Sequence, residues 1–138
     1  MTKCGTLSSQ KNKKWIIKAV DRDRRRTIGW VIGNRDVKTF RRLYDQVKHL
    51  KTCIFYTDDW SAFKQVLPPK RHVVGKEHTL TIERDNSNTR HHLGRMTRKT
   101  KVVSKSLEMV DITLKMWCAL TDQNIFKVFQ SRALSIFM

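Results

Sequence analysis

Two apolar, β-branched stretches, KWIIKAV at 14–20 and TIGWVIG at 27–33, are separated only by the polar DRDRRR. No other part of the chain restricts the fold as much. Segments rich in Ile, Val and Trp favour strands, and a short charged connection between two of them closes an antiparallel hairpin. Everything downstream must then be arranged around a sheet. Asn34–Asp36 offers a helix start, and Val37, Phe40, Leu43, Tyr44, Val47 and Leu50 follow at helical spacing. A short strand at 52–57 (TCIFYT) comes next, then a short helix from Trp60 to Leu67 that Pro68-Pro69 stops. Residues 71–74 (RHVV) read as another short strand. The pattern turns helical from Thr79 to about Met96, and again from Ser104 to about Leu120. In that last helix Leu107, Val110, Leu114 and Trp117 form one apolar stripe, best read as core packing. The closing NIFKVFQSRALSIFM is apolar and suits packing against the body or a partner subunit. A hairpin followed by alternating helices and strands predicts an α/β fold, a mixed sheet flanked by helices.

The charge says what such a domain meets. Among 138 residues, 29 Lys and Arg stand against 12 Asp and Glu, a net charge of +17. From Lys11 to Lys51 there are fourteen basic and four acidic residues, and from Lys64 to Lys105 eleven and three. From Ser106 onward the count is three and three, so the basic excess belongs to the body and not the tail. That distribution favours a polyanion, with nucleic acid ahead of an anionic membrane surface because no basic helix face lies opposite an apolar one. No apolar run is long enough to span a bilayer. The N-terminal MTKCGTLSSQKNKKW carries no apolar core of a signal peptide, so a cytoplasmic, nucleoid-associated protein is expected. Cys4, Cys53 and Cys118 are widely spaced, with no paired arrangement for zinc.

The chemistry-bearing stretch is IFYTDDW at 54–60, where a strand ends on two carboxylates. In open α/β sheets, ligands gather at the carboxyl ends of strands. Glu83, in TIERDNSNTRHHLGRMTRK, lies in the first turn of a predicted helix, with Asn86 at i+3 and Arg90 two turns along. A strand-end Asp and a helix Glu meeting at one point supply the oxygen ligands that a hard cation such as Mg²⁺ takes. Two acids at this spacing also have a plainer explanation. Asp59 then caps the helix that follows, and Glu83 answers the positive end of its own helix. Trp15 and Trp30 are most simply sheet core, Trp60 either core or a base-stacking surface. His91-His92 have no i+4 partners and read as phosphate contacts or solvent-exposed residues.

Three stretches in order, WIIKAVDRDRRRTIGWVIGNRDVKTFRRL, YTDDWSAF and HTLTIERDNSNTRHHLGRMTRKTKVVSKS, resemble the catalytic half of transposases of the insertion-sequence-one family, InsB type. The likeness covers about residues 11–120. It implies an RNase H-like fold and a DDE triad that cuts and joins double-stranded DNA with Mg²⁺ (or Mn²⁺), in a chain able to form homo-oligomers. Asp58 is then the second acid and Glu83 the third, both metal ligands. Arg84, Asn86, Arg90, Arg98 and Lys99 match motif positions and are expected DNA contacts.

The first acid of the triad belongs on the first strand, in a segment resembling DEMW just before QKNKKW. Here Met1 to Ser9 reads MTKCGTLSS, without any acid. Asp21 is a poor substitute: it ends a strand antiparallel to the first and emerges at the end of the sheet away from Asp58. One possible coding string for MTKCGTLSSQK, prefixed with G and read in that shifted frame, gives DDEMWHFIVSK. The expectation is therefore an aberrant segment at 1–10, its first strand missing or replaced, followed by a partial RNase H-like catalytic domain with C-terminal helices at 11–138. Such a copy lacks the acid that bridges the metals, and the competing expectation is a catalytically silent, basic DNA-binding remnant.

Overall fold

The computed structural model describes residues 3–7, 14–94 and 106–137. The expected hairpin forms from β2 (Lys14–Asp21) and β3 (Arg26–Gly33), with β1 (Lys3–Leu7) paired antiparallel on the free side of β2. The hairpin turn is closed by the Asp21 carboxylate, whose Oδ1 accepts the backbone N–H groups of Asp23 at 3.0 Å and Arg24 at 3.1 Å. Arg25 there takes φ 53°, a left-handed conformation that turns favour.

After β3 comes helix α1 (Val37–Val47), started by Asp36, whose side chain accepts the Thr39 N–H at 2.7 Å. Its Phe40, Leu43 and Val47 join Ile17, Ala19 and Val31 of the sheet in one buried cluster with Phe55, Phe63 and Leu67. The close approach of α1 to β3 needs Gly33, because a Cβ there would lie 2.8 Å from the Thr39 side chain. Strand β4 (Phe55–Thr57), helix α2 (Ser61–Val66), strand β5 (His72–Val74) and helix α3 (Leu80–His92) follow. Short 3₁₀ turns at Pro69–Arg71 and Lys76–His78 lead into β5 and α3.

The α/β class is as expected, but the single mixed sheet is not. Among the described residues the strands form two small sheets, an antiparallel β1-β2-β3 and a parallel β4-β5. The reason lies in β1. KCGTL has little apolar content, and its register against β2 slips between Cys4 and Thr6, at Gly5. A bulge of this kind bends a strand and interrupts its ladder, and no pairing with β4 is made.

Because β2 is central, both its faces are covered. Ile17 and Ala19 enter the main core, while Ile16 and Lys18 are buried on the opposite face. A second bulge, where Ala19 faces Gly29 but Val20 faces Thr27, switches the alternation of β3. Thr27 therefore points to the Lys18 side of the sheet, the side on which α3 lies.

The chain divides into two compact units, 1–105 and 106–138. The second comprises α4 (Leu107–Leu120), with Ser106 accepting the Met109 N–H, and α5 (Gln123–Phe137). Of the expected α4 stripe, Val110 and Leu114 are fully buried, Trp117 is half-buried and Leu107 is 43% exposed. Ile125, Phe126, Val128, Phe129, Leu134 and Ile136 of α5 are all exposed.

Candidate functional site

The two predicted acids follow the two strands of the parallel β4-β5 pair, Asp58 directly and Glu83 on the helix beyond β5. Phe55, Tyr56 and Thr57 pair with His72, Val73 and Val74, so both strands finish together. Beyond that finish the Gly75 N–H donates to the Thr57 carbonyl at 3.1 Å. Asp58 is the next residue after β4. One 3₁₀ turn after β5, α3 begins, with Glu83 in its first turn. Asp58 and Glu83 thus leave the same end of the same strand pair.

Each acid is held by one oxygen. The Trp60 N–H donates to Asp58 Oδ1 at 3.3 Å. Glu83 Oε1 faces the Thr79 hydroxyl at 3.2 Å, but that hydroxyl also faces the Lys76 carbonyl at 2.7 Å and has only one proton to give. The second oxygen of each carboxylate has no protein donor among the described residues. Asp58 is half-buried and Glu83 exposed. Beneath Asp58 the buried Thr57 hydroxyl lies 2.9 Å from the Asp58 carbonyl and 2.6 Å from His72 Nε2. With its proton on the carbonyl, it accepts the Nε2–H of His72. Burial holds the His72 pKa below its ordinary value, with the positive charge of Lys64 adding to the effect.

The residue types suit a hard divalent cation: Asp58, anchored through one oxygen by the Trp60 N–H, and Glu83, exposed in the first turn of α3, each leave carboxylate oxygen that such an ion takes along with water and phosphate. It does not amount to a closed cage. Among the described residues no three His, Cys, Asp or Glu side chains group as metal ligands.

Asp59 departs from expectation. It does not cap α2, whose N-terminus has no side-chain cap. Instead Asp59 is exposed and ion-paired with Lys64 at 2.5 Å, and that hydrogen-bonded contact lowers its pKa. The turn preceding α2 is closed by Asp58. Asp21 serves the turn between β2 and β3, and the next residue, Arg22, lies 5.4 Å from the ring of Tyr56 in β4. Arg35 lies 5.6 Å from the ring of Trp15, near the start of β2, and 5.8 Å from the ring of Trp60.

The expected DNA contacts separate by face. Arg84 is exposed and Arg90 half-buried, whereas Asn86 is 4% exposed on the inward face of α3 with Ile82 and Thr89. Asn86 thus faces inward, where the helical period puts 82, 86 and 89 on one side. Arg98 and Lys99 lie outside the described residues. His91 and His92 are exposed, their rings edge to face at 4.8 Å. Trp60 packs edge-on against Phe40 and Phe63 at the rim of the core.

Sequence reasoning missed Lys18 and Asp85. Lys18 is fully buried in β2, and its ammonium donates to Asp85 Oδ2 at 2.6 Å and to the Thr89 hydroxyl at 2.7 Å. The Thr27 hydroxyl adds a contact to the same carboxylate at 3.2 Å. This network fastens α3 to the sheet two residues beyond Glu83. The lone lysine inside an otherwise apolar run becomes a signal only once β2 is known to be central, because a buried charge then needs a partner.

The class on the page is a strongly basic α/β body, net charge +17, with one carboxylate directly after β4 and another in the first turn of α3. The comparisons narrow it. The IS1 transposase family profile matches residues 2–124. The chain is 36% identical over 107 residues to the insertion element IS1 protein InsB of Shigella flexneri, covering 78% of this chain and 82% of that protein. It is equally similar, over the same share of its own length, to the IS1 2 protein InsB of Escherichia coli K12, but covers 64% of that protein. An InsB protein of Shigella sonnei is 35% identical. The chain therefore spans less than two thirds of the Escherichia coli relative. No solved structure matches it. The chain belongs to the IS1 transposase family.

Proposed function

We propose that this chain is the catalytic half of a DDE-type DNA transposase with an incomplete acid triad, able to hold double-stranded DNA but not to cut it efficiently alone. The observation that supports the reading is the shared finish of β4 and β5, after which the chain runs directly into Asp58 and, through one 3₁₀ turn, into α3 with Glu83 in its first turn. The RNase H-like arrangement is part of the proposal. It has the antiparallel β1-β2-β3 order beside a parallel pair in its favour.

Asp58 and Glu83 would hold Mg²⁺ (or Mn²⁺), each through the oxygen that the protein leaves unengaged. When bound, such an ion activates the attacking oxygen and stabilises the leaving one. The protein's own part is to fix Asp58 through the Trp60 N–H and to orient α3 through Lys18 and Asp85. Arg84 and Arg90, with Arg98 and Lys99, would hold DNA phosphates that carboxylates alone repel. The edge strand KCGTL carries no acid, so the position of the first triad aspartate is filled by residues that cannot bridge two ions. The shifted reading of residues 1–9 accounts for that loss, and the gene's own codons decide it. Self-association through the exposed apolar residues of α5 also belongs to the proposal, as does a place at the nucleoid.

The test pairs binding with cleavage on cognate element ends. DNA binding should weaken steeply with salt and survive Asp58→Asn and Glu83→Gln, while Mg²⁺-dependent cleavage stays at background. Robust cleavage abolished by those substitutions refutes the incomplete triad.

A further inference from the structure

Arg35 is the one arginine placed between two indole rings, 5.6 Å from Trp15 and 5.8 Å from Trp60, among the described residues. Its side chain is exposed and takes part in no hydrogen bond or ion pair among the described residues. The neighbouring carboxylate does not neutralise it, because Asp36 is committed to the Thr39 N–H at the start of α1. Two attractions to ring faces fix the position of the guanidinium while leaving its in-plane N–H donors facing water.

Its location gives that arrangement a use. Trp60, which carries one of the two rings, donates its backbone N–H to Asp58 Oδ1. Lys14 is hydrogen-bonded to Asn34 beside it, and the charges of Lys14 and Lys38 act on Asp36, so the surroundings are positive. A flat, oriented, always-charged fork with free donors suits a phosphodiester, which it grips through two parallel hydrogen bonds. The ring faces turned towards Arg35 are already covered, so a stacked base does not fit there.

From this geometry we infer that Arg35, clamped between Trp15 and Trp60, is a phosphodiester-binding residue that seats a DNA strand beside Asp58. The inference rests on the DNA-processing reading above and adds a contact that lies outside the α3 motif. Trp15 and Trp60 act as positioning residues, holding the guanidinium without touching the strand themselves.

The experiment uses the full chain and a fluorescein-labelled nicked duplex carrying single neutral methylphosphonates, one position at a time. Arg35→Ala should weaken binding to the unmodified duplex by about tenfold, as expected for a lost charged hydrogen bond. It should also lower the salt slope by about one phosphate contact. One methylphosphonate position should weaken wild-type binding yet leave Arg35→Ala unaffected, since both changes remove the same contact. Arg35→Lys should recover only part of the affinity, because an ammonium lacks the fork. An unchanged circular dichroism spectrum and melting curve for Arg35→Ala separates this from unfolding. With wild-type binding intact, undiminished affinity of Arg35→Ala, or equal sensitivity of both proteins at every position, overturns the Arg35 site alone. Absence of salt-dependent binding by the wild-type chain overturns the DNA reading, and this site with it.

Discussion

Replacing Lys18 by methionine keeps the volume of the side chain and removes its charge, which isolates what the buried pair contributes. Two unit charges 2.6 Å apart attract by ~6 kcal/mol at an effective dielectric of about 20. Most of that offsets the cost of taking a fully buried ammonium out of water. The net worth of the pair is therefore small, but the cost of breaking it is not. In Lys18→Met the Asp85 carboxylate keeps only the Thr27 hydroxyl and 17% of its side-chain surface for water. A loss of about 3 kcal/mol follows, the lower part of the range for an orphaned buried charge, because Asp85 keeps that access to solvent. The double variant Lys18→Met/Asp85→Leu should regain most of it, since no charge is then left without a partner. Thr89 keeps its bond to the Asp85 carbonyl, and half-buried Thr27 can turn to water. Urea unfolding followed by circular dichroism, with the four proteins arranged as a cycle, reads the coupling directly. Additive losses, with the double variant least stable of all, would falsify this account of how α3 is attached.

Three further outcomes follow from other contacts. The folded pKa of His72 lies below its ordinary 6.5 because of burial, so the unfolded chain binds the proton first. The contribution of His72 to stability is then complete above the ordinary value and is lost as pH falls through the folded one. Urea midpoints on either side of that window should differ less in His72→Gln, and an unchanged difference would remove His72 as the cause. Gly33→Ala should cost about 1–3 kcal/mol, because the added methyl meets Thr39 at 2.8 Å beneath the first turn of α1. A neutral result in thermal unfolding would mean that α1 shifts freely. Trp60→Ala should lower stability by about 3 kcal/mol through loss of contacts with Phe40 and Phe63, and weaken DNA binding no more than Arg35→Ala does.

The elements read most easily from sequence were those whose pattern is local. The hairpin ends within one residue of expectation, because β-branched runs on either side of a charged turn leave little choice. α1 is equally plain, with a capping aspartate and a single apolar face. β4 shrank from 52–57 to Phe55–Thr57, since only three residues find a partner in β5. Helix α3 stops at His92, short of the expected Met96, within a polar segment that has no apolar face to extend it. Asp58 and Glu83 were visible as acids after a strand and in a first turn. The roles of Asp59 and Asn86 were not, because both depend on which way a side chain turns in space. Lys18 was hidden for a related reason: a lysine in a strand reads as solvent-facing until the strand is known to be central.

The shortness of the β4-β5 pair has a consequence for time as well as position. Three residue pairs and one N–H from Gly75 join the strands that lead to Asp58 and, through one 3₁₀ turn, to α3, while β2 and β3 are tied along eight residues each. Opening of the short pair is therefore a cheaper excursion than opening of the hairpin. Amides of Thr57, Val73 and Gly75 should exchange with deuterium well before those of Ile17 and Val31. On the proposed reading, the alignment of Asp58 with α3 would last only as long as that small clasp stays shut, so the site would be shorter-lived than the fold.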